Sequence, residues 1–334
     1  MADVSIVIPF FNLAGYVRAT LASVVAAVER SSLAVEAICV DDGSTDGTAA
    51  ALEGVFGDCG SCDNLEFRMI RKANGGEGSA RNMGIAAATG KWVTFLDGDD
   101  IWLANHLEVA EALLKRHPDA DVIALKYASF EDGKDVPMAP AKIPDAKMFA
   151  LRRGIASEVL LEVGVFPTFF RRRFLAESGV RFSSLSLGAD RLFMAQCLAS
   201  VETIVKCDAV VHGYRIRVGS MARLAWDVRK VMSQCDYAYG SLRALAASGR
   251  TIGRRGHAYL ASLWLSDVPN RLLRLPAHER REGARGWLGT LGDPAVVAGL
   301  SVANRVRGAL HAVGGFSPVS SLRLAWLFRK VGLT

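Results

Sequence analysis

The 334-residue sequence predicts an open α/β fold: a mostly parallel sheet with helices on both faces, followed by a helical C-terminal region. Three observations carry that expectation. Short, nearly continuous apolar runs recur through roughly the first 130 residues, the pattern of strands buried on both sides. Between them lie stretches rich in Ala, Leu and Val with helical spacing. Acidic clusters close several of the runs, at the sheet edge where open α/β folds bind their ligands.

Each element follows from local sequence. Val4–Pro9 reads as a strand and Leu13–Val28 as a helix. Val35–Val40 is a strand ended by Asp41-Asp42-Gly43-Ser44; Thr45–Phe56 is a helix, Leu65–Ile70 a strand and Ser79–Ala88 a helix. Trp92–Leu96 is a strand stopped by Asp97-Gly98-Asp99-Asp100, then come a helix over Leu103–Arg116 and a strand over Val122–Tyr127. Pro137, Pro140 and Pro144 mark a loop over residues 131–147. Ala189–Val201 has a helical pattern and Glu202–Val211 that of a strand; beyond Met221 strand signals fade. Residues 1–220 are thus expected to form an α/β domain and 221–334 a helical, basic region.

With 51% hydrophobic and 22% charged residues, the chain is globular rather than disordered or fibrous. From Arg271 onward ten Arg and Lys face three acids, a surplus of +7 that leaves the preceding residues near neutrality. A neutral body with a basic tail is not the charge pattern of a nucleic-acid binder. It suits contact with an anionic surface such as a membrane. Ser321–Val331 adds Trp326 and Phe328 beside Arg323, Arg329 and Lys330, which suits either an interfacial segment or a terminal helix packed on its own core. No apolar run reaches the ~18 residues of a membrane span, and no secretory pattern opens the chain. The expected location is cytoplasmic, with the tail at the inner face of the membrane. Cys59 and Cys62 form a lone CxxC with no second pair, so the six cysteines read as reduced thiols.

Asp97-Gly98-Asp99 sets two carboxylates around a residue without a side chain, a cradle for a hard divalent cation. The same residues also suit a helix start, with Asp99 or Asp100 as N-cap of a helix over 101–116. Asp41-Asp42-Gly-Ser-Thr-Asp46 has the composition of a turn into a helix, and also of a site where a carboxylate accepts a base imide N–H. Asn74-Gly-Gly-Glu-Gly opens a helix whose first turns carry Arg81, within range of Asp41, Asp42 or a diphosphate. His212-Gly-Tyr-Arg215-Ile-Arg217 reads as a loop after the last clear strand, with Arg215 and Arg217 on one side.

Ser5-Ile-Val-Ile-Pro9-Phe-Phe11-Asn12, Val40-Asp-Asp-Gly-Ser-Thr-Asp46, Asn74-Gly-Gly with Ala80-Arg-Asn-Met-Gly84, and Phe95-Leu-Asp-Gly-Asp-Asp100 occur in this order. Together they resemble the nucleotide-binding half of the inverting family 2 glycosyltransferases, which have the GT-A fold, over roughly residues 1–220. The resemblance implies transfer of a sugar from a UDP-sugar to the hydroxyl of a carbohydrate or glycolipid acceptor, in surface polysaccharide or glycolipid assembly. It assigns Pro9, Phe11, Asp41, Asp42, Arg81 and Asp97 to the nucleotide, with Phe11 stacked on uracil and Asp41 or Asp42 reading the base. Asp97 and Asp99 would hold Mg²⁺ or Mn²⁺ against the diphosphate. The segment Leu187-Gly-Ala189-Asp190 matches the family's catalytic Glu-Asp pair, with Asp190 as general base and Ala189 in place of the acid. That loss leaves open a second expectation, a nucleotide-sugar-binding protein without turnover. An oligomer is compatible with either.

Overall fold

The computed structural model describes residues 2–58, 63–136, 144–217 and 227–252, with a few positions between 271 and 282. The elements run β1 (Val4–Phe10), α1 (Val17–Val28), β2 (Val35–Asp41), α2 (Thr48–Asp58), β3 (Leu65–Arg71), α3 (Glu77–Ala87), β4 (Trp92–Phe95), β5 (Ile101–Trp102) and α4 (His106–Arg116). There follow β6 (Val122–Glu131), β7 (Ala146–Ala150), β8 (Gly154–Ile155), α5 (Ser157–Glu162), β9 (Thr168–Arg171) and α6 (Arg172–Ser178). The last are α7 (Ala189–Ser200), β10 (Thr203–Ile216), α8 (Val228–Ala247) and β11 (Thr251–Ile252). The chain divides into two compact units. One comprises Met1–Arg152, Val163–Ser184 and Val201–Ser220; the other comprises Arg153–Glu162, Leu185–Ser200 and the described residues from Met221.

In the first unit, the sheet order is β3-β2-β1-β4-β9-β6-β10-β5, with β7 also paired to β10. β1 to β4 are parallel, as their apolar runs predict; every residue of β1 and β2 is buried. Val17, Leu21, Val24 and Val28 of α1 form the helical stripe that covers this sheet. The central strand β9 runs antiparallel to both β4 and β6 and was not visible in the sequence, being only four residues long.

Three expectations are corrected near the sheet's end. The helix expected from Leu103 begins at His106, and Ile101–Trp102 instead pair antiparallel with His212 and Gly213. Neither Asp99 nor Asp100 caps α4, whose flanking residue is Asn105; both carboxylates are engaged elsewhere, as described below. The segment read as a loop from His212 is strand as far as Ile216, because β10 extends past two register shifts to meet β5.

In the second unit, α7 packs on α8, and β8 pairs parallel with β11. Gly188, at φ +79°, turns the chain into α7 with the Tyr237 ring 3.0 Å from where a β-carbon would stand. Among the described residues no helix is long and apolar enough to cross a membrane. Cys39, Cys197, Cys207 and Cys235 are buried and in no disulfide. Cys59, Cys62, Trp326, Phe328 and the basic positions from Arg305 to Lys330 lie outside the described residues.

Candidate functional site

The carboxyl ends of β1, β2 and β4 bring Pro9, Phe11, Asp41, Asp42, Asp97 and Asp99 to one edge of the first unit, and α3 adds Arg81. After β1 the backbone turns at Asn12, at φ +53°, a conformation Asn tolerates better than most side chains. Asn12 is fastened from both sides: its N–H donates to Ser44 Oγ at 3.0 Å and its Oδ1 accepts from the Thr45 N–H at 2.9 Å. Phe11 is left at the turn with 47% of its surface exposed, unusual for an aromatic ring beside a buried strand.

Asp41 and Asp42 are adjacent, both buried, and differently occupied. The Asp42 carboxylate accepts from Lys72 Nζ at 2.5 Å, from the Gly75 N–H at 3.0 Å and from the Gly76 N–H at 2.8 Å. It fixes the turn into α3, where Gly76 takes φ +83°. Asp41 Oδ1 accepts from the Ser44 N–H at 3.0 Å, but Oδ2 is buried and accepts no hydrogen bond among the described residues. Arg71 Nε approaches it, at 3.4 Å. A buried acceptor without a hydrogen bond is costly.

Asp97 to Asp100 form a tight turn in which the Asp100 N–H donates to the Asp97 carbonyl at 3.0 Å. Thr20, buried in α1, donates its hydroxyl between the Gly98 and Asp100 carbonyls. Gly98 is required here: a β-carbon would stand 2.6 Å from the Phe10 ring and 2.7 Å from the Pro9 carbonyl. Arg81 donates to Asp97 Oδ1 at 2.7 Å and to Glu77 Oε1 at 2.6 Å. Its guanidinium lies 5.0 and 5.1 Å from the Phe166 and Phe182 rings and its side chain is 2% exposed, so it faces Asp97 rather than Asp41 or Asp42. Burial, reinforced by the charges of Glu77, Asp100 and Asp99, pushes the Asp97 carboxyl well above its ordinary value against the pull of Arg81.

Asp100 is buried against His212, with Oδ2 2.9 Å from Nε2 of the ring, and its Oδ1 accepts from the Arg215 N–H at 2.7 Å. Burial raises this carboxyl also, the His212 hydrogen bond opposing it. His212 therefore belongs to Asp100, which its sequence position did not reveal. Arg215 Nε donates to the Asp99 carbonyl at 2.6 Å and its Nη1 to Asp132 at 2.9 Å. Arg217 Nε donates to Asp99 Oδ2 at 2.5 Å. Tyr16 lies 5.3 and 5.5 Å below these two guanidinium groups and donates its hydroxyl to Asp132 at 2.9 Å. Lys72, Tyr16 and Asp132 escaped the sequence reading; Asp132 lay in the stretch read as a loop, and a lone Tyr or Lys carries no pattern.

Asp97 and Asp99 provide hard oxygen donors of the kind a divalent cation takes, each with one oxygen held by an arginine. Among the described residues no group of three His, Cys, Asp or Glu converges on a metal position, so nucleotide or water oxygens would complete such a shell. Asp190 belongs to the second unit, part-exposed in the first turn of α7, where the helix dipole favours a carboxylate. Ala189 before it is buried, so an acid there would have to be desolvated.

Comparison with known proteins gives this arrangement its relatives. In solved structures, the fold is similar to S. aureus TarS 1–349 in complex with UDP-GlcNAc: TM-score 0.64 and 21% identity, covering 87% of this chain and 80% of that one. It is also similar to the mannosyltransferase PcManGT from Pyrobaculum calidifontis in complex with GDP-Man and Mn²⁺: TM-score 0.54 and 17% identity, covering 99% and 85%. At these identities the likeness shows the GT-A fold. In sequence, the chain is 30% identical over 261 residues to the succinoglycan biosynthesis protein ExoO of Rhizobium meliloti (strain 1021), covering 74% of this chain and 70% of that protein. The model of glycosyl transferase family 2 matches residues 5–178, just over half of the chain and the whole stretch from β1 to α6. By the model match and this relative, the chain belongs to glycosyl transferase family 2.

Proposed function

We propose that the protein moves a sugar from a UDP-sugar to a hydroxyl of a carbohydrate or glycolipid acceptor, with inversion at the anomeric carbon. The observation that carries the donor reading is Asp41 Oδ2, a buried acceptor without a hydrogen bond, on the strand position paired with Phe10. Uracil presents an imide N–H that would satisfy it, and Phe11 on the adjoining turn is free to stack on the ring. Pro9 borders the same turn. Asp42, whose oxygens are taken by Lys72, Gly75 and Gly76, shapes the pocket rather than reading the base.

Arg81 holds Asp97, and Asp97 with Asp99 would bind Mg²⁺ or Mn²⁺, which when bound supplies positive charge against the leaving diphosphate. Asp190 is assigned as general base from its sequence segment: it takes the acceptor's hydroxyl proton as the oxygen bonds to the anomeric carbon and UDP departs with the electron pair of the broken bond. Similarity to ExoO, a succinoglycan biosynthesis protein, supports a role in surface polysaccharide assembly. On this reading the enzyme works in the cytoplasm, with the basic region from Arg271 near the inner face of the membrane.

The test is calorimetric titration of UDP and GDP, with and without Mn²⁺, on the wild type and Asp41→Asn. UDP should bind in preference to GDP and lose about tenfold in affinity in the variant, as expected for a hydrogen bond to a charged acceptor. Absence of UDP binding to the wild type under both conditions would sink the proposal. UDP-sugar binding without UDP release in the presence of candidate acceptors, unchanged by Asp190→Asn, would point instead to the binding protein that Ala189 left open.

A further inference from the structure

We infer that Tyr127 and Tyr214 form a platform on which a neutral pyranose ring of the acceptor stacks, beside the acidic turn after β4. The inference rests on the transfer reaction proposed above and names the surface that takes its second substrate. Parallel pairing of β6 with β10 sets Tyr127 opposite His212 and Tyr214 opposite Ser129. Strand alternation then puts these four side chains, with Glu131, on one face of the sheet. Phe130 and Arg215 turn to the other face, where the guanidinium lies 4.8 Å from the ring.

On the first face the cover ends part of the way along the strands. His212 is buried, bonded to Asp100 and 6.0 Å from the Phe166 ring. Beside it Tyr127 is 53% exposed, its ring 5.8 Å from that of the part-buried Tyr214. Among the described residues, Phe11 and Tyr127 are the exposed aromatic side chains. Phe11 has the donor's base to meet, and the position of the tyrosine pair ties it to the same reaction. Tyr214 stands between His212 and Arg215, whose ring and backbone N–H both hold the Asp100 carboxylate. Burial, with the charges of Asp100, Asp97 and Asp99, pushes the Tyr214 hydroxyl up to about 12, so it stays a neutral donor.

The chemistry of this face selects its occupant. Neither tyrosine hydroxyl has a hydrogen-bond partner among the described residues. Ser129 and Glu131 stand exposed beside them, and neither strand adds a Lys or Arg to this face beyond Tyr127 and His212. An anionic group would be repelled by Glu131 and the acidic turn. A neutral pyranose matches instead: its C–H face leaves water against the rings, and its rim of hydroxyls meets Ser129, Glu131 and the phenols.

The experiment is saturation-transfer difference NMR on the full-length protein with cellobiose, maltose and lactose as probes, at saturating UDP and Mn²⁺ and again without them. The wild type should transfer saturation to the ring C–H protons of at least one probe. Tyr127→Ala should weaken binding of that probe about tenfold, while Tyr127→Phe, which keeps the ring, should stay within about threefold of the wild type. Absence of any saccharide signal in the wild type, or equal affinity in Tyr127→Ala, overturns the platform. A loss in Tyr127→Phe as large as in Tyr127→Ala overturns the stacking, since only the hydroxyl is then in play. Melting temperature and far-UV circular dichroism check that each variant is folded. A wild type that takes a saccharide but no UDP removes the donor site and leaves the platform standing; one that binds UDP and no saccharide does the reverse.

Discussion

The two ends of the same sheet treat a buried carboxylate in opposite ways. At the amino ends of the strands, Glu36 of β2 is 3% exposed and fully served. Its Oε1 accepts from Ser5 Oγ, the Thr89 N–H and hydroxyl and the Gly90 N–H, and its Oε2 from Arg68. Burial alone would raise its pKa; the hydrogen bonds from Ser5, Thr89 and Arg68 overcome it and bring the pKa down to about 2. At the carboxyl ends, Asp41 keeps an open oxygen, and Asp97 and Asp100 are pushed up rather than down. The fold completes the hydrogen bonds of Glu36, whereas at the other end, among the described residues, it leaves one oxygen of Asp41 without any. The number of donors the fold supplies thus sets apart carboxylates of one chemical type.

The largest test of this division is Asp99→Asn. Sugar transfer should fall by about 10²–10³-fold, with a melting temperature within a few degrees of the wild type, measured by initial rates and calorimetry. A large loss of stability instead would put Asp99 with Glu36. Next in size, Glu36→Ala strands the donors of Ser5, Thr89 and Gly90 and should cost roughly 3 kcal/mol in denaturant unfolding, with unaltered turnover in the folded fraction.

The pH dependence sharpens the same contrast. The Glu36 pKa is about 2 in the fold and 4.5 in its ordinary state. Its contribution is therefore present above pH 4.5 and is lost as pH falls through 2, a total of roughly 3 kcal/mol. Urea midpoints measured from pH 5 to 2 should converge for the wild type and Glu36→Gln. Parallel curves would show that the ionised form is not what Ser5 and Thr89 stabilise. The smallest expected effect is at Phe11, where replacement by Ala should weaken UDP binding about tenfold and leave the melting temperature in place, because the ring is already half exposed.

Much of this was legible in the sequence, and the reason differs from place to place. Strands β1, β2 and β4 were found almost to the residue because a parallel strand buried on both faces must be apolar throughout. Strands β7 and β9 were missed because four or five residues in an antiparallel edge or insertion leave no periodicity to read. Within the site, Asp41, Asp42, Asp97 and Asp99 were identified as a group, but their division of labour was not. Which carboxylate is saturated depends on Lys72, Gly75, Gly76 and Arg217, brought in from 30 to 118 residues away. His212 was read as a loop residue; its commitment to Asp100 depends on a strand pairing across 112 residues that local sequence does not encode.

The clamp of Asp42 on the Gly75 and Gly76 amides bears on the order in which the molecule assembles. It closes a loop of 33 to 34 residues, within a run of neighbouring parallel strands. The Arg215 amide reaches Asp100 across 115 residues and needs β10 to arrive first. Loop-closure entropy grows with separation, and long-range pairings are slow to form. The Asp42 turn should therefore gain amide protection earlier in refolding than the Asp100 turn, a difference that pulse-labelled exchange at Gly76 and Arg215 would time directly. Chains still on the way to the native state would pass through a stage with the Asp42 turn in place and the Asp100 turn not yet formed.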